Sequence, residues 1–321
     1  MRILLLAAFC LLSAGAARAA DYENPRALYR ALAEQPHEKI TIGGGEIDVV
    51  FADGAPGLDR APVMEWIRNS AESVTAYFGK FPVAKVGLLI IAEEGGQVGG
   101  GTTYGFAGSA IRLHVGKGAD AQVFARDWKL VHEMVHLALP VIEPMENASW
   151  MMEGSATYIE PLARAMTGNL SEASVWSDSL DGMPKGQPRS GDAGLDHHPG
   201  WGRTYWGGAV FWLLADIRIR EKTGGHFGLI DALRAVNRES GGNGAEWSER
   251  RVVDVGDKAT GTHVLTDLYD QMKDDPMTVD LDGLFAKLGV ARRDGQVVFD
   301  EQAPEAALRH QLIVRPKGSA S

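Results

Sequence analysis

The sequence predicts an α+β protein, with a β-rich lobe over residues 21–121 and a helical lobe over residues 122–321. In the first region, short runs of β-branched and apolar residues alternate with glycine clusters, a pattern typical of strands. Three such runs are EIDVVFA (Glu46–Ala52), KVGLLIIA (Lys85–Ala92) and AIRLHVG (Ala110–Gly116). From Gln122 onward, apolar residues recur at the spacing of a helix. The change of pattern therefore predicts two lobes with a cleft between them.

Residues 1–20, MRILLLAAFCLLSAGAARAA, are predicted to be a secretory signal peptide. Arg2 supplies a positive start, an apolar stretch follows, and Ala17-Arg18-Ala19 matches a cleavage signal. The stretch is short for a bilayer-spanning helix, so we expect no stable membrane insertion after cleavage. Because the single cysteine, Cys10, lies in this segment, the mature chain would have no thiol chemistry. We therefore expect an exported protein, periplasmic or secreted.

Composition restricts the partners of the chain more than its chemistry. The 321 residues are 45% hydrophobic and 23% charged, which is ordinary globular composition with enough apolar material for a core. The formal net charge is -10. Nucleic acids and anionic membrane surfaces select basic patches, so we expect neither as a partner.

Within the β-rich lobe, one helix is predicted between the first two strands, roughly from Pro62 to Phe78. The glycine-rich segment Glu93–Gly108 lacks the G-x-x-x-x-G-K-[ST] phosphate-binding pattern, and no helix follows it directly. We therefore predict that it is a hairpin connection. The run AIRLHVG is then expected to be an edge strand that can pair with an extended peptide.

The helical lobe is predicted to begin with one long helix that Pro140 ends. Its apolar face would consist of Phe124, Trp128, Val131 and Val135. A second helix is predicted from Asn147, a good N-cap, to a kink or end at Pro161. Residues 177–203 are rich in Gly, Pro, Ser and Asp and predict a long loop. An apolar helix, TYWGGAVFWLLADIRIREKTGG, is predicted to follow it.

The first predicted helix contains the motif H-E-x-x-H at residues 132–136. Because helical residues four apart share one face, His132 and His136 can present two imidazole nitrogens to one metal ion. Glu133 flanks that position without having to bind the ion, which suits a general base. A helix face with two chance histidines is the alternative interpretation.

A zinc site needs a third protein ligand. One known arrangement requires Gly at position 139 and His at position 142, but these positions are Leu139 and Ile142. The other arrangement takes a glutamate from a following helix. Glu153 is such a glutamate, and the turn that contains Pro140 and Pro144 would fold its helix back against the first. The prediction is one Zn²⁺ per chain, held by two histidines and a glutamate.

HEMVH, followed after sixteen residues by EGSATYIE, resembles the gluzincin zinc metallopeptidases. It is similar to the aminopeptidase-N-like and glycyl-aminopeptidase-like families and to the peptidase MA-like domain. Their second motif is roughly W-x-x-E-G-x-A-x-Y-x-E, although the aminopeptidase-N-like spacing between the motifs is usually two residues longer. The positions that match are Trp150, Glu153, Gly154, Ala156, Tyr158 and Glu160. The resemblance implies a thermolysin-like α+β fold with the active site between the lobes.

The resemblance also implies a role for Tyr205. In TYWGG, Tyr205 and Gly208 resemble a family Y-x-x-G motif whose tyrosine hydroxyl stabilises the tetrahedral oxyanion. A packed aromatic residue near the start of a helix is the alternative.

The sequence departs from the family pattern in the upstream G-x-M-E-N-like strand, whose glutamate captures a substrate's free amine. The corresponding stretch, GTTYGFAGSAIRLHVG, has no glutamate, which favours endopeptidase action or an unusual substrate.

Three further residues have open roles in the sequence. Glu160 would hold a ligand histidine from behind or be an exposed charge just before Pro161. His197 and His198 lie in the long loop before Tyr205, where contact with substrate and simple solvation are both open.

The sequence therefore predicts an exported zinc metallopeptidase that acts on a peptide or protein substrate. Zinc would polarise the scissile carbonyl and acidify a water, and Glu133 would carry the proton from the water to the leaving amine. Two alternatives stay open at this point. One is an exported zinc-binding or peptide-binding module without turnover. The other is an aminopeptidase that lacks the usual amine-binding motif.

Overall fold

The computed structural model describes residues 21–197 and 200–314. The predicted signal peptide, residues 1–20, and His198 lie outside these ranges. Within them, no helix combines the length and the apolarity that a bilayer span requires. The division of the chain at residue 121 stays a prediction.

A five-stranded sheet with the order β1-β2-β3-β5-β4 forms the N-terminal part of the fold. Its strands are β1 (His37–Ile42), β2 (Gly45–Phe51), β3 (Lys85–Glu93), β4 (Val98–Tyr104) and β5 (Ala110–Gly116). The three inner strands run parallel, and both outer strands run antiparallel to their neighbours. The three strands that the sequence predicted correspond to β2, β3 and β5 and are confirmed.

The glycine-rich segment Glu93–Gly108 contains the edge strand, so its prediction as a hairpin connection alone was wrong. β4 pairs with β5, which places AIRLHVG between β3 and β4 instead of at the edge. The low strand propensity of glycine hid β4 in the sequence. Close packing explains a glycine at position 99, since a Cβ added at Gly99 would lie 2.8 Å from Cβ of His114.

Twelve α-helices cover most of the rest of the described chain. The first six are α1 (Pro25–Glu34), α2 (Arg60–Phe78), α3 (Ala121–Arg126), α4 (Lys129–His136), α5 (Met145–Met166) and α6 (Glu172–Gly182). The others are α7 (Gly208–Thr223), α8 (Leu229–Ser240), α9 (Glu249–Thr260), α10 (Val264–Met272), α11 (Leu281–Lys287) and α12 (Ala306–Ile313). Short strands β6 (Val141–Ile142) and β7 (Glu246–Trp247) pair in parallel, and β8 (Val290–Arg293) and β9 (Gln296–Phe299) form a hairpin.

The long helix predicted from residue 122 to Pro140 is two helices, α3 and α4. Asp127 adopts an extended conformation and ends α3. Its Oδ2 then accepts a hydrogen bond of 3.1 Å from the backbone N–H of Leu130, in the first turn of α4. The apolar spacing runs through this break, so periodicity alone gave no sign of it.

Two other predicted boundaries differ from the structure. The second helix, α5, begins after Pro144 instead of at Asn147 and continues through Pro161 to Met166. The predicted loop 177–203 is helical in part, because α6 extends to Gly182 and a 3₁₀ turn spans Met183–Gly186. The chain then re-enters a helix through a π-helical segment, Arg203–Gly207, that leads directly into α7.

Helices α5 and α7 cross with their backbones in contact at two glycines. A Cβ on Gly208 would lie 2.1 Å from the carbonyl oxygen of Trp150 and 2.8 Å from Cα of Gly154. A Cβ on Gly154 would lie 2.4 Å from Cα of Gly208. No larger side chain fits either position without moving a helix. Around this crossing, the buried aromatic residues Trp150, Phe211 and Trp212 continue the core from the sheet into the helices.

We expect Gly208→Ala to destabilise the protein by about 1–3 kcal/mol, because the added methyl group overpacks the α5–α7 crossing. The better helix propensity of alanine offsets only part of this cost. Urea unfolding measures the change. Gly244→Ala is the matched control, since no atom lies within 4 Å of its added Cβ. Equal stability of the two variants would show that the backbones do not need this contact.

Candidate metal centre

His132 and His136 lie one turn apart on α4 and face Glu153 on α5. Their Nε2 atoms lie 3.0 Å and 3.5 Å from Oε2 of Glu153. The structure therefore brings together the two histidines and the glutamate that the sequence selected as metal ligands. Helix α4 packs against α5, which brings Glu153 next to the two histidines although it is distant from them in the sequence.

Two of the distances in this group fit a tetrahedral metal ion. One nitrogen or oxygen atom from each residue lies within 4.8 Å of the others. Two ligands of a tetrahedral zinc ion with bonds of about 2.0–2.1 Å lie roughly 3.4 Å apart, close to both distances from Glu153. Two imidazoles and a carboxylate are also the donor set of catalytic zinc sites that keep a fourth position open.

Interactions within this group lower the pKa of Glu153 and raise the pKa of His136. Burial by itself would raise the pKa of Glu153, but hydrogen bonds with His132 and His136 outweigh it and lower the pKa. Burial would likewise lower the pKa of His136, but the hydrogen bond and charge of Glu153, with the charge of Glu133, raise it. The carboxylate therefore stays ionised in its buried position.

Glu133 is held against the edge strand β4. The hydroxyl Oγ1 of Thr103 lies 2.7 Å from Oε2 of Glu133 and 2.9 Å from its carbonyl oxygen. Gly101 leaves the space that the glutamate occupies, since a Cβ there would lie 2.8 Å from Cγ of Glu133. The sheet edge therefore fixes both the position and the orientation of the carboxylate.

Tyr205 lies beside the histidine–glutamate group, in the π-helical segment before α7. Its ring is roughly parallel to that of His132, with the two centroids 6.1 Å apart. Burial, followed by the charge of Glu153 and a hydrogen bond with it, raises the pKa of Tyr205 to about 12. The hydroxyl is therefore protonated at neutral pH and can donate a hydrogen bond.

These residues surround a cavity of about 490 Å³, which we call the metal-facing cleft. Strand β4 forms one wall through Gly101 and Thr103, and α4 and α5 form the other. Asn243 lies at one end and ties the cleft to the sheet, because its Nδ2 donates to the carbonyl oxygen of Tyr104 at 3.0 Å.

Glu160 fits neither of the two interpretations that the sequence allowed. Its side chain is buried and accepts a hydrogen bond of 2.8 Å from Nη1 of Arg164, one turn later on α5. Nη2 of Arg164 donates in turn to the carbonyl oxygen of Ala125 on α3. The pair therefore connects α5 to α3.

His197 lies outside the metal-facing cleft and pairs with Asp274 at 3.1 Å on the surface. Its neighbour Asp196 has the more consequential contacts. Asp196 accepts a hydrogen bond of 2.7 Å from Nε1 of Trp150 on α5 and one of 3.1 Å from the hydroxyl of Tyr269 on α10. Asp196 thus connects α5 with α10.

Sequence reasoning missed Thr103, Gly101 and Asp196 as parts of the site. Thr103 and Gly101 lie in the segment predicted to be a loop, so their position beside Glu133 had no signal in the spacing. Sequence spacing gave no signal for Asp196 either, because its partner Trp150 lies 46 residues away.

Comparison with known proteins shows similarity in fold. No protein-family model matches the chain, and no relative was found among curated proteins. An aminopeptidase N family protein from Idiomarina loihiensis has a similar structure, with a TM-score of 0.59 and 15% identity. The match covers 80% of this chain and 49% of that one. An M1 zinc metallopeptidase from Deinococcus radiodurans matches with a TM-score of 0.47 and 15% identity, over 76% of this chain and 54% of that one.

The chain thus spans about half the length of the structures that it matches. The first match confirms the predicted gluzincin-like metallopeptidase fold. It extends well beyond the short stretch of sequence that carries the motifs, and the identity is low. The likeness therefore lies in the arrangement of the elements.

We expect the purified protein to bind about one zinc ion per chain, and His136→Ala to lose it, because two ligands do not hold the ion in place. Metal analysis after dialysis measures the stoichiometry, and a competing chelator measures the affinity. We expect the affinity to fall at least about 100-fold.

His197→Ala is the matched control, since this histidine lies outside the cluster, and it should retain the metal. Glu133→Gln should also retain it, because Glu133 is not in the ligand group. Equal zinc content in the wild type and His136→Ala would place the ion elsewhere. A wild type that binds no zinc when the ion is offered would reject the site.

We also expect the free energy of unfolding to fall as the pH rises from about 4.3 to 7. Burial raises the pKa of Glu160 to about 7, although Arg164 opposes this shift. An unfolded glutamate ionises near about 4.3, so in this window the folded protein binds the additional proton. Glu160→Gln should flatten the profile by up to about 1.4 kcal/mol per pH unit.

Urea unfolding at several pH values between about 4.5 and 8 measures this slope. Glu72→Gln, at an exposed position of α2, is the matched control. A variant that keeps the full wild-type slope would show that Glu160 is ionised throughout.

Proposed function

We propose that the chain is a zinc metallopeptidase that hydrolyses peptide bonds, with endopeptidase action favoured over aminopeptidase action. The observation that carries this proposal is the convergence of three metal-binding side chains beside Glu133, in a cleft with a sheet edge as its wall. The two histidines and Glu153 would hold the ion. When bound, zinc supplies Lewis acidity, which polarises a carbonyl group and lowers the pKa of a water molecule.

Glu133 is the proposed general base. Its carboxylate would accept a proton from the attacking water and deliver it to the nitrogen of the leaving amine. Thr103 is a positioning residue, because its hydroxyl donates to Oε2 of Glu133 and so restrains the carboxylate. Gly101 allows this arrangement by leaving room beside the side chain.

Tyr205 is the proposed donor to the oxyanion. Tyr205 lines the metal-facing cleft together with Glu153, and the centroid of its ring lies 6.1 Å from that of His132. Because its pKa is about 12, the hydroxyl keeps its proton and can donate to the carbonyl oxygen as negative charge develops there.

Strand β4 is the proposed partner of the substrate backbone, in place of the strand that the sequence suggested. An edge strand leaves backbone N–H and C=O groups that an extended peptide can pair with. Gly100 and Gly101 line the metal-facing cleft, where absent side chains let another backbone approach closely. The proposed active site therefore lies between the sheet and the helices α4 and α5.

Endopeptidase action is proposed because the described lining of the metal-facing cleft holds no further carboxylate that could bind a free amine. Among the described residues that line the metal-facing cleft, the only carboxylates are Glu133 and Glu153, and both already have proposed roles. Capture of a free amine needs a further negative group. Aminopeptidase action is the second candidate, since the similar structure from Idiomarina loihiensis belongs to an aminopeptidase N family protein.

We further propose that the protein acts after export, because residues 1–20 have the pattern of a secretory signal peptide.

The zinc-loaded protein should cleave peptides whose N-terminus is acetylated, and Glu133→Gln should lower kcat/KM at least about 100-fold. Mass spectrometry of blocked and free peptides of the same sequence identifies the bonds that are cut. Cleavage confined to the first bond of free peptides would support the aminopeptidase instead. A Glu133→Gln variant as active as the wild type would reject the mechanism.

Neighbouring glycines of β4 provide a graded control for this test. Gly101→Ala should lower kcat/KM by roughly ten- to a hundredfold, because its methyl group displaces Glu133. At Gly100 an added Cβ meets no atom within 4 Å, so Gly100→Ala measures the effect of a side chain on the approach of the substrate backbone, without displacement of Glu133. Equal losses in both variants would mean that the strand matters for another reason.

A further inference from the structure

A second cavity, of about 480 Å³, opens directly beside the metal-facing cleft. We call it the tryptophan cavity, after the residues Trp128, Trp201 and Trp206 that line it. Three residues line both this cavity and the metal-facing cleft: Trp128, His132 and Tyr205. These three side chains therefore form a wall common to both cavities, and the tryptophan cavity lies next to the position proposed for the metal ion. Its volume lies in the range of roughly 300–1,000 Å³ that is usual for ligand pockets.

Aromatic rings form a continuous wall from the cleft into this cavity. Trp128 meets His132 edge to face at 5.4 Å between centroids, and His132 lies parallel to Tyr205. Tyr205 in turn stacks on Trp201 at 5.4 Å. Trp201 is 64% exposed and Trp128 is 46% exposed, so both keep ring surface that no residue of the described chain covers.

The third tryptophan is built into the floor. An added Cβ at Gly182, the last residue of α6, would lie 2.3 Å from atoms of the Trp206 ring. The glycine therefore leaves the space in which this ring lies flat against the end of α6. Trp206 itself is part of the core packing, which makes the floor rigid.

Charge does not select the occupant of the tryptophan cavity. Among the described residues that line it, three are acidic and three are basic: Glu160, Asp178, Asp181, Arg126, Arg164 and Lys185. Glu160 pairs with Arg164, and Asp181 pairs with Arg292 outside the cavity. Neither a strongly cationic nor a strongly anionic group would find a surplus of opposite charge. The aromatic surface is what distinguishes this cavity from the cleft.

We propose that the tryptophan cavity binds an aromatic side chain of the substrate, from a residue next to the bond that is cut. This inference rests on the proposed peptidase function. An aromatic ring can stack on the exposed face of Trp201 and bury a large apolar area there, whereas a small aliphatic side chain covers little of the wall. Trp201 is the specificity-determining residue, because it offers the most exposed ring of the three.

Binding is tested without turnover in the zinc-loaded Glu133→Gln protein. The probes are an acetylated and amidated hexa-alanine peptide and its counterpart with one phenylalanine, measured by isothermal titration calorimetry. The phenylalanine peptide should bind about tenfold more tightly. Trp201→Ala in the same background should reduce this preference to less than about threefold, and Trp201→Phe should restore most of it.

Phe227→Ala is the matched control, because this phenylalanine is 41% exposed but lines neither cavity. It should leave the preference unchanged. Equal binding of the two peptides, or a preference that survives Trp201→Ala, would overturn the inference.

The failure of this inference can be told apart from the failure of the proposed function. Wild-type protein that cleaves peptides with no preference for aromatic residues would keep the peptidase and reject the tryptophan cavity as a subsite. Conversely, a Trp201-dependent binding preference in a protein that cleaves no peptide would support the cavity and reject the peptidase.

Discussion

The backbone contact between Gly154 and Gly208 is the constraint on which the candidate site depends. It lets α5 and α7 cross more closely than any side chain would permit. Glu153 precedes one of these glycines, and Tyr205 lies three residues before the other. The contact therefore places a carboxylate and a tyrosine hydroxyl side by side, although 52 positions along the chain separate them. Gly154 and Gly208 are therefore both required by the same crossing of α5 and α7.

The sheet contributes as directly as the helices. Strand β4 is an edge strand of the sheet, and it holds Glu133 through Thr103. The same glycines that weaken the strand also make room for the glutamate and expose the backbone. A more regular strand with larger residues would be more stable but would displace Glu133 from its position. Local strand stability is thus lower where the site needs space.

Aromatic residues join the metal-facing cleft to the tryptophan cavity. Trp128 is the N-cap of α4 and Tyr205 belongs to the π-helical segment, so their relative position depends on the packing of α4, α5 and α7 together. Trp201 stacks on Tyr205, with 5.4 Å between the ring centroids. The wall of rings is therefore fixed from several sides, even though two of its tryptophans are exposed.

The sequence by itself determined what depends on residue type and short spacing: three strands, several helices, and the selection of His132, His136 and Glu153. Helical periodicity places residues four apart on one face, so this information is local. Tertiary structure alone decided that glycine-rich β4 is the edge strand, that Thr103 holds Glu133, and that Asp127 divides the first predicted helix. These features arise from contacts between distant segments, where packing overrides propensity and spacing carries no signal.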